Sequence, residues 1–240
     1  MTVVETSQAI VAIDGPSGSG KSSTSKGVAR ALGLAYLDTG AMYRAMAWYM
    51  LEHEVDLGDR AAVAARANEP VIALAVDPDR PEIAVDGVDV TELIRGEAVT
   101  GAVSPVAAVP EVRARLVDLQ QAAVADSQRR GRGIVVEGRD IGTVVLPDAT
   151  AKIFLTADAQ ARAARRAHED AGRAGAVGPG ESDIAATAQA LAARDAIDSG
   201  RATSPLRPAE DAVHVDGTFM TLPEVIDRIV DIVTEACAGQ

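Results

Sequence analysis

Residues 15–22 read GPSGSGKS, and no other stretch of the chain restricts its fold as tightly. The spacing G-x-x-x-x-G-K-[ST] describes a loop whose successive N–H groups turn inward around phosphate oxygens. Glycines permit the positive backbone dihedrals that such a cradle needs. Lys21 brings an ammonium to the β and γ phosphates of a nucleotide, and Ser22 offers its hydroxyl to Mg²⁺. The loop has meaning only between a buried strand and a helix start, and both are present. Residues 9–14, AIVAID, form an apolar run closed by Gly15-Pro16, and from Lys21 to about Leu32 the apolar Val28, Ala29, Ala31 and Leu32 take helical spacing. The start of that helix adds its partial positive charge. Strand, glycine turn and helix within about 25 residues open an α/β fold. The expected nucleotide-phosphate set is Gly15, Pro16, Ser17, Gly18, Ser19, Gly20, Lys21, Ser22 and Ser23.

Further along, residues 41–52 read as helix, and then the texture changes. PVIALAV (70–76), EIAVDG (82–87) and VDVTEL (88–93) are β-rich and punctuated by Asp, Pro and Gly, which predicts a small antiparallel insertion. Helical pattern returns at 94–108 and, with Pro110 in its first turn, from Glu111 to about Arg130. GIVVEG (133–138) and AKIFLTA (151–157) are buried-strand candidates separated by the loop RDIGTVVLPD. An Arg- and Ala-rich helix over 158–174, a glycine-rich loop at 174–182 and a charged helix over 183–200 follow, then a last strand, DAVHVDG (211–217). Thr221 and Glu224 are spaced as a capping box ahead of a final helix, with Pro223 in its first turn. The apolar face expected there is Leu222, Val225, Ile226, Ile229, Val233 and Cys237, which makes Cys237 a buried apolar residue rather than a reactive one.

The chain's net charge of -12 and the lack of a basic stripe argue against a nucleic-acid polymer as partner. Of its 23 cationic residues only Lys21, Lys26 and Lys152 are lysine, a skew read first as codon bias. A local arginine cluster can still hold a small anion within an acidic protein. With one cysteine there is no internal disulfide framework and no Cys-based zinc site. No secretory signal and no membrane-spanning apolar run is legible, so the expected compartment is the cytoplasm, without a membrane partner.

Several local patterns have both a functional and a purely structural reading. In LDTGAMYR, Thr39-Gly40 precede a helix that carries Arg44 one turn in, which suits capture of a monophosphate; a plain cap with a solvated arginine fits equally. In EGRDIGT, Arg139 and Asp140 follow a buried strand, and the carboxyl ends of strands are where α/β sheets put ligands. Arg194, Asp198 and Arg201 share one helical face, as either a salt-bridge ladder or a binding set. Arg162, Arg165 and Arg166 stand just ahead of the glycine-rich loop. They suit a hinged lid, with Arg162 and Arg166 the main contributors, or a solvated face paired with Glu169 and Asp170.

Taken in order, IDGPSGSGKS, LDTGAMYR, VSPVAAVPEVR, EGRDIGTVVLPDA, KIFLTA and ARDAIDSGRATSPL resemble the bacterial cytidylate kinases, from about residue 9 to the C-terminus. The β-rich insertion matches as well. The resemblance implies a P-loop kinase core with a central parallel sheet flanked by helices, a nucleoside-monophosphate-binding insertion and a helical lid. The whole would be a single domain over 1–240, with core at about 8–38, 109–157 and 205–240, insertion at about 39–108 and lid at about 158–190. It implies ATP as phosphoryl donor, Mg²⁺ as cofactor, and CMP and dCMP as acceptors; separately, no long apolar patch in the sequence forces a dimer, so a monomer is expected. By that resemblance Arg44 and Arg139 hold the acceptor phosphate; Asp140, Ser104 and Arg113 read the cytosine; Thr39 stands near the nucleotide. Arg194 and Arg201 act at the phosphates, Asp198 on the ribose hydroxyls, and Lys21, Arg162, Arg166 and Arg194 on the transferring group. As isolated residues Ser104 and Arg113 read as surface positions. Glu137 stands where the family has Asp, able to hold a Mg²⁺-bound water beside Ser22, and Thr39 where it has Ser. The acceptor phosphate is already anionic near neutral pH, so no general base is needed and His53, His168 and His214 carry no catalytic assignment.

Two other functions stay open at this point. A P-loop kinase for a neutral hydroxyl acceptor would need a base and leaves Arg44, Arg139 and Asp198 unexplained. A nucleotide-binding switch without turnover lacks any Asn-Lys-x-Asp guanine-reading motif in this chain.

Overall fold

Five short strands form the floor on which everything else is mounted. The computed structural model describes residues 5–173, 175, 178–200 and 205–239. In chain order it contains β1 (Ile10–Asp14), α1 (Lys21–Leu32), β2 (Ala35–Asp38), α2 (Thr39–Glu52) and α3 (Arg60–Arg66). Then come β3 (Ile72–Leu74), β4 (Ile83–Val85), β5 (Val88–Asp89), a 3₁₀ turn (Leu93–Arg95), α4 (Glu97–Ala107) and α5 (Pro110–Arg129). The last part holds β6 (Ile134–Gly138), a π-helical turn (Ile141–Val145), β7 (Ala151–Thr156), α6 (Ala159–Arg173), α7 (Glu181–Ser199), β8 (Val213–Asp216) and α8 (Leu222–Ala238).

The main sheet runs β2-β6-β1-β7-β8 with every neighbouring pair parallel. β1 is central, and its last residue Asp14 is in register with Gly138 on one side and Phe154 on the other. Because side chains alternate along a strand, each strand feeds two cores. Ala12, Leu37, Ile134 and Val136 point to the layer of α2, α4 and α5, whereas Val11, Ile13, Tyr36, Val135 and Ile153 point to α1 and α8. The α/β reading of the sequence holds, and β3, β4 and β5 form a separate antiparallel sheet.

Local departures have physical causes. β2 is four residues long and runs straight into α2, so no turn marks it in the sequence. Asp38, not Thr39 or Gly40, caps α2, accepting from the Ala41 N–H at 3.0 Å. Only Val88 and Asp89 of VDVTEL are strand, and a 3₁₀ turn precedes α4. On α8 the capping box forms, with Thr221 N donating to Glu224 Oε2 at 2.7 Å. Its buried face, however, uses Val225, Ile229, Ile232 and Val233, while Leu222 in the first turn is 46% exposed and Cys237 is half-buried at the rim. No helix among the described residues is long and apolar enough to cross a membrane.

Candidate active site

The parallel strands deliver three functional segments to one edge. Asp14 leads into the P-loop, Asp38 into α2, and Gly138 into Arg139-Asp140. This is where a parallel α/β sheet offers a crevice at the carboxyl ends of its strands. The P-loop bends through left-handed backbone at Gly18 (φ 76°) and Gly20 (φ 90°), the second ending directly at α1. Gly18 is also forced by proximity, since a Cβ there would lie 2.8 Å from the Arg162 carbonyl oxygen.

Lys21 is buried at the loop's base and donates to the Pro16 carbonyl at 2.7 Å. Burial pushes its ammonium down to about 7, with Arg139 adding to the effect and Glu137 and Asp14 opposing it. Glu137 closes the floor. Its carboxylate accepts from Tyr36 Oη, and its carbonyl accepts from Thr39 Oγ1 at 2.8 Å. Burial, reinforced by the Asp38 charge, raises the Glu137 carboxyl to about 7. Thr39 is thus buried, holds β6 to α2 and also lines a second, smaller cavity.

Above this floor lies a cleft of about 340 Å³. One wall carries Ser17, Gly18, Gly20, Lys21, Ser22 and Ser23; the others bring in Arg44 from α2, Arg166 from α6 and Arg194 from α7. Arg44 donates to Thr100 Oγ1 at 2.9 Å and to the Ile94 carbonyl at 3.3 Å. Burial lowers its guanidinium to about 10, and the nearby Arg194 and Arg166 charges push the same way. Cations crowded this way in a chain of net charge -12 make a local trap for anions.

That second cavity, of about 70 Å³, opens beside it, lined by Thr39, Tyr43, Val103, Ala107, Arg113 and Asp140 among others. The two cavities share Gly40, Gly138, Arg139 and Arg194. Arg113 and Asp140, both buried, are ion-paired at its inner end, and the Arg113 guanidinium lies 5.6 Å from the Tyr43 ring centre. Burial of Arg113 overturns the surface position that its isolated reading suggested. Ser104 on α4 is half-buried but lines neither cavity; its neighbours Val103 and Ala107 do.

Arg139 bridges the two halves. It donates to Asp198 Oδ2 at 2.9 Å, to the Gly15 carbonyl at 3.0 Å and to Ser17 Oγ at 2.6 Å. Asp198 therefore reaches across to β6 rather than serving only a ladder along its own helix. Arg201 lies outside the described residues. The α6 arginines divide their work. Arg166 lines the cleft and also pairs with Asp170 at 2.9 Å, so the two sequence readings of it coexist. Arg162 instead turns beneath the P-loop, donating to the Ser17 carbonyl at 2.9 Å and pairing with Asp195. Asp195 in turn accepts from the Ser17 N–H at 3.1 Å. Arg165 reaches the Gly217 carbonyl.

Sequence reasoning passed over Tyr36, Tyr43, Asp38 and Asp195. Asp195 follows Arg194 directly and Tyr43 precedes Arg44, so adjacency to motif residues was the available signal.

A family model described as cytidylate kinase matches residues 11–235. The chain is 56% identical to a cytidylate kinase of Streptomyces griseus, over 97% of its own length and 96% of that protein. It is 57% identical to one of Streptomyces coelicolor over 96% and 95%, and 52% identical to one of Nocardia farcinica over 94% of each chain.

Proposed function

The chain belongs to the cytidylate kinase family, and we propose how its site moves the γ-phosphoryl group of ATP onto CMP and dCMP. The observation that carries the assignment of roles is the junction of the two cavities. A phosphate cradle lies on one side, a small base-sized pocket on the other, and Arg139 and Arg194 belong to both linings. ATP phosphates would lie along the P-loop N–H groups with Lys21 beside the β and γ groups. The acceptor base would enter the small pocket against Asp140 and Arg113, leaving its phosphate among Arg44, Arg139 and Arg194. Asp198, whose Oδ2 accepts from Arg139, lines the small pocket and would stand beside the ribose hydroxyls of the acceptor.

The acceptor oxygen is anionic, so the protein supplies alignment and positive charge rather than a base. Lys21, Arg166 and Arg194 face the space where charge spreads over the transferring group. Ser22 and Glu137 suit Mg²⁺, since both line the cleft and offer hard oxygen donors. No group of three or more His, Cys, Asp or Glu side chains among the described residues could hold a metal, so phosphate oxygens would complete its shell. Mg²⁺ held there would supply positive charge to offset that of the nucleotide phosphates. We assign the insertion around β3–β5 to the acceptor side and the α6–α7 pair to the lid.

ADP release should be measured with ATP and Mg²⁺ and with CMP, dCMP, UMP, AMP or GMP in turn. Fast turnover is expected on CMP and dCMP, slower turnover on UMP, and none once EDTA removes the metal. Turnover on none of the five would overturn the assignment.

The two α6 arginines should separate cleanly. Arg166→Gln is expected to lower kcat by about 10²-fold with little change in melting temperature, as for loss of one transition-state donor. Arg162→Gln should instead lower the melting temperature and raise KM for ATP, because it frees the Ser17 segment and Asp195. Thermal melts beside steady-state kinetics on both variants would show it; matching profiles would refute the division.

A further inference from the structure

The π-helical turn Ile141–Val145 begins straight after Asp140, so Asp140 occupies the position from which a carboxylate ordinarily caps a helical start. It does not do so, since its side chain makes no bond to the turn's first amides and is ion-paired with Arg113 instead. The turn's amides are met from another strand. Asp14 Oδ1 accepts from the Ile141 N–H at 2.9 Å, and Asp14 Oδ2 accepts from the Gly142 N–H at 2.8 Å. Asp14 is 3% exposed, and the β1–β6 register sets it opposite Gly138, two residues before Asp140. Two buried amides without acceptors would each carry a desolvation cost, so some acceptor has to serve them, and here it is the Asp14 carboxylate.

We propose that Asp14 is a positioning residue for base selectivity: by capping the Ile141–Val145 turn from the neighbouring strand, it releases the Asp140 carboxylate to Arg113 and the base pocket. Asp14 adjoins Gly15, so its place in the sequence would assign it to the ATP side. The hydrogen bonds assign it to the acceptor side. A carboxylate there offers one oxygen to each amide. An asparagine can satisfy only one and turns its NH₂ toward the other N–H, and an alanine satisfies neither. In either variant Asp140 is the nearest carboxylate able to swing back onto its own turn, which would leave Arg113 without its partner and the base without its acceptor.

The inference rests on the (d)CMP kinase reading of the site, and wild-type turnover on CMP tests that reading separately. The experiment compares wild type, Asp14→Asn, Asp14→Ala, Asp140→Asn and the Asp14→Asn/Asp140→Asn double variant. KM and kcat are measured for CMP, UMP and ATP, together with the affinity for a fluorescent ATP analogue without acceptor and a melting curve. The expected result for Asp14→Asn is about a tenfold rise in KM for CMP and about a tenfold loss of CMP-over-UMP preference, with ATP-analogue affinity within about twofold. Asp14→Ala should be worse in the same direction. The double variant should lose no more selectivity than Asp140→Asn alone, because both changes disable one element. The proposal is overturned if KM for ATP rises as far as KM for CMP, or if the selectivity losses add in the double variant. It is equally overturned if both Asp14 variants fail to melt cooperatively, since the residue would then be structural only.

Discussion

Replacing Lys21 with alanine is expected to lower kcat/KM for CMP phosphorylation by about 10³-fold, the scale of losing a positive group aimed at developing charge. The effect should fall mostly on kcat, because on the proposed binding mode the loop's N–H groups would still hold the triphosphate when the ammonium is gone. Stability should move the other way. Lys21 is buried, its ammonium is already pushed down to about 7, and it donates a hydrogen bond to the Pro16 carbonyl. Removing a cation held in so dry a place takes away a desolvation cost. The variant without ligand should therefore melt no lower than wild type, while the stabilisation gained on adding ATP shrinks. A melting curve with and without ATP, read beside steady-state rates, decides it. A large drop in the ligand-free melting temperature, with kcat nearly kept, would mean that Lys21 is a structural brace for the loop.

The second large effect is expected at the buried Arg113–Asp140 pair. Asp140→Ala leaves the Arg113 guanidinium charged and uncompensated beside Tyr43, which should destabilise the fold by about 3–5 kcal/mol and abolish the preference for CMP over UMP. Replacing both, with Arg113→Met and Asp140→Leu, removes the two charges together. Stability should then return to within about 2 kcal/mol of wild type, because paired buried charges offset little more than their own desolvation. Activity on CMP should stay lost. Urea unfolding separates fold from function here, and steady-state kinetics with CMP and UMP reads the site. If the double variant recovered CMP turnover, the proposed cytosine-reading role of the pair would be wrong.

Much of the molecule was legible along the chain because its signals are local. The P-loop, the capping box of α8 and the insertion at 70–93 each announce themselves within a few residues. Runs such as AIVAID and GIVVEG could be read as buried strands because both faces of a parallel sheet are covered. Elements without punctuation escaped notice: β2 passes into α2 without a turn, α3 is only seven residues long, and the π-helical turn lies inside what reads as a loop. The arginines of α6 show the limit most clearly. Arg162 and Arg166 are one helical turn apart, and spacing gives them the same face. One donates to the Ser17 carbonyl and the other lines the cleft, because the helix approaches the P-loop closely at Arg162, beside Gly18, so the two positions meet different neighbours.

By itself the sequence determined the chemistry on offer: a phosphate cradle, a supply of arginines at helical spacing, and an Arg-Asp step after a buried strand. Those depend on residue type and short-range geometry, which covalent structure and hydrogen-bonding period dictate. Tertiary structure alone decided which charges are partners. Asp14 meets Ile141 and Gly142, Arg113 meets Asp140, and Arg139 meets Asp198, across sequence separations of 127, 128, 27 and 59 residues. A carboxylate's role follows from the donors that surround it once water is gone, and those donors come from other strands and helices, brought together only when the sheet closes.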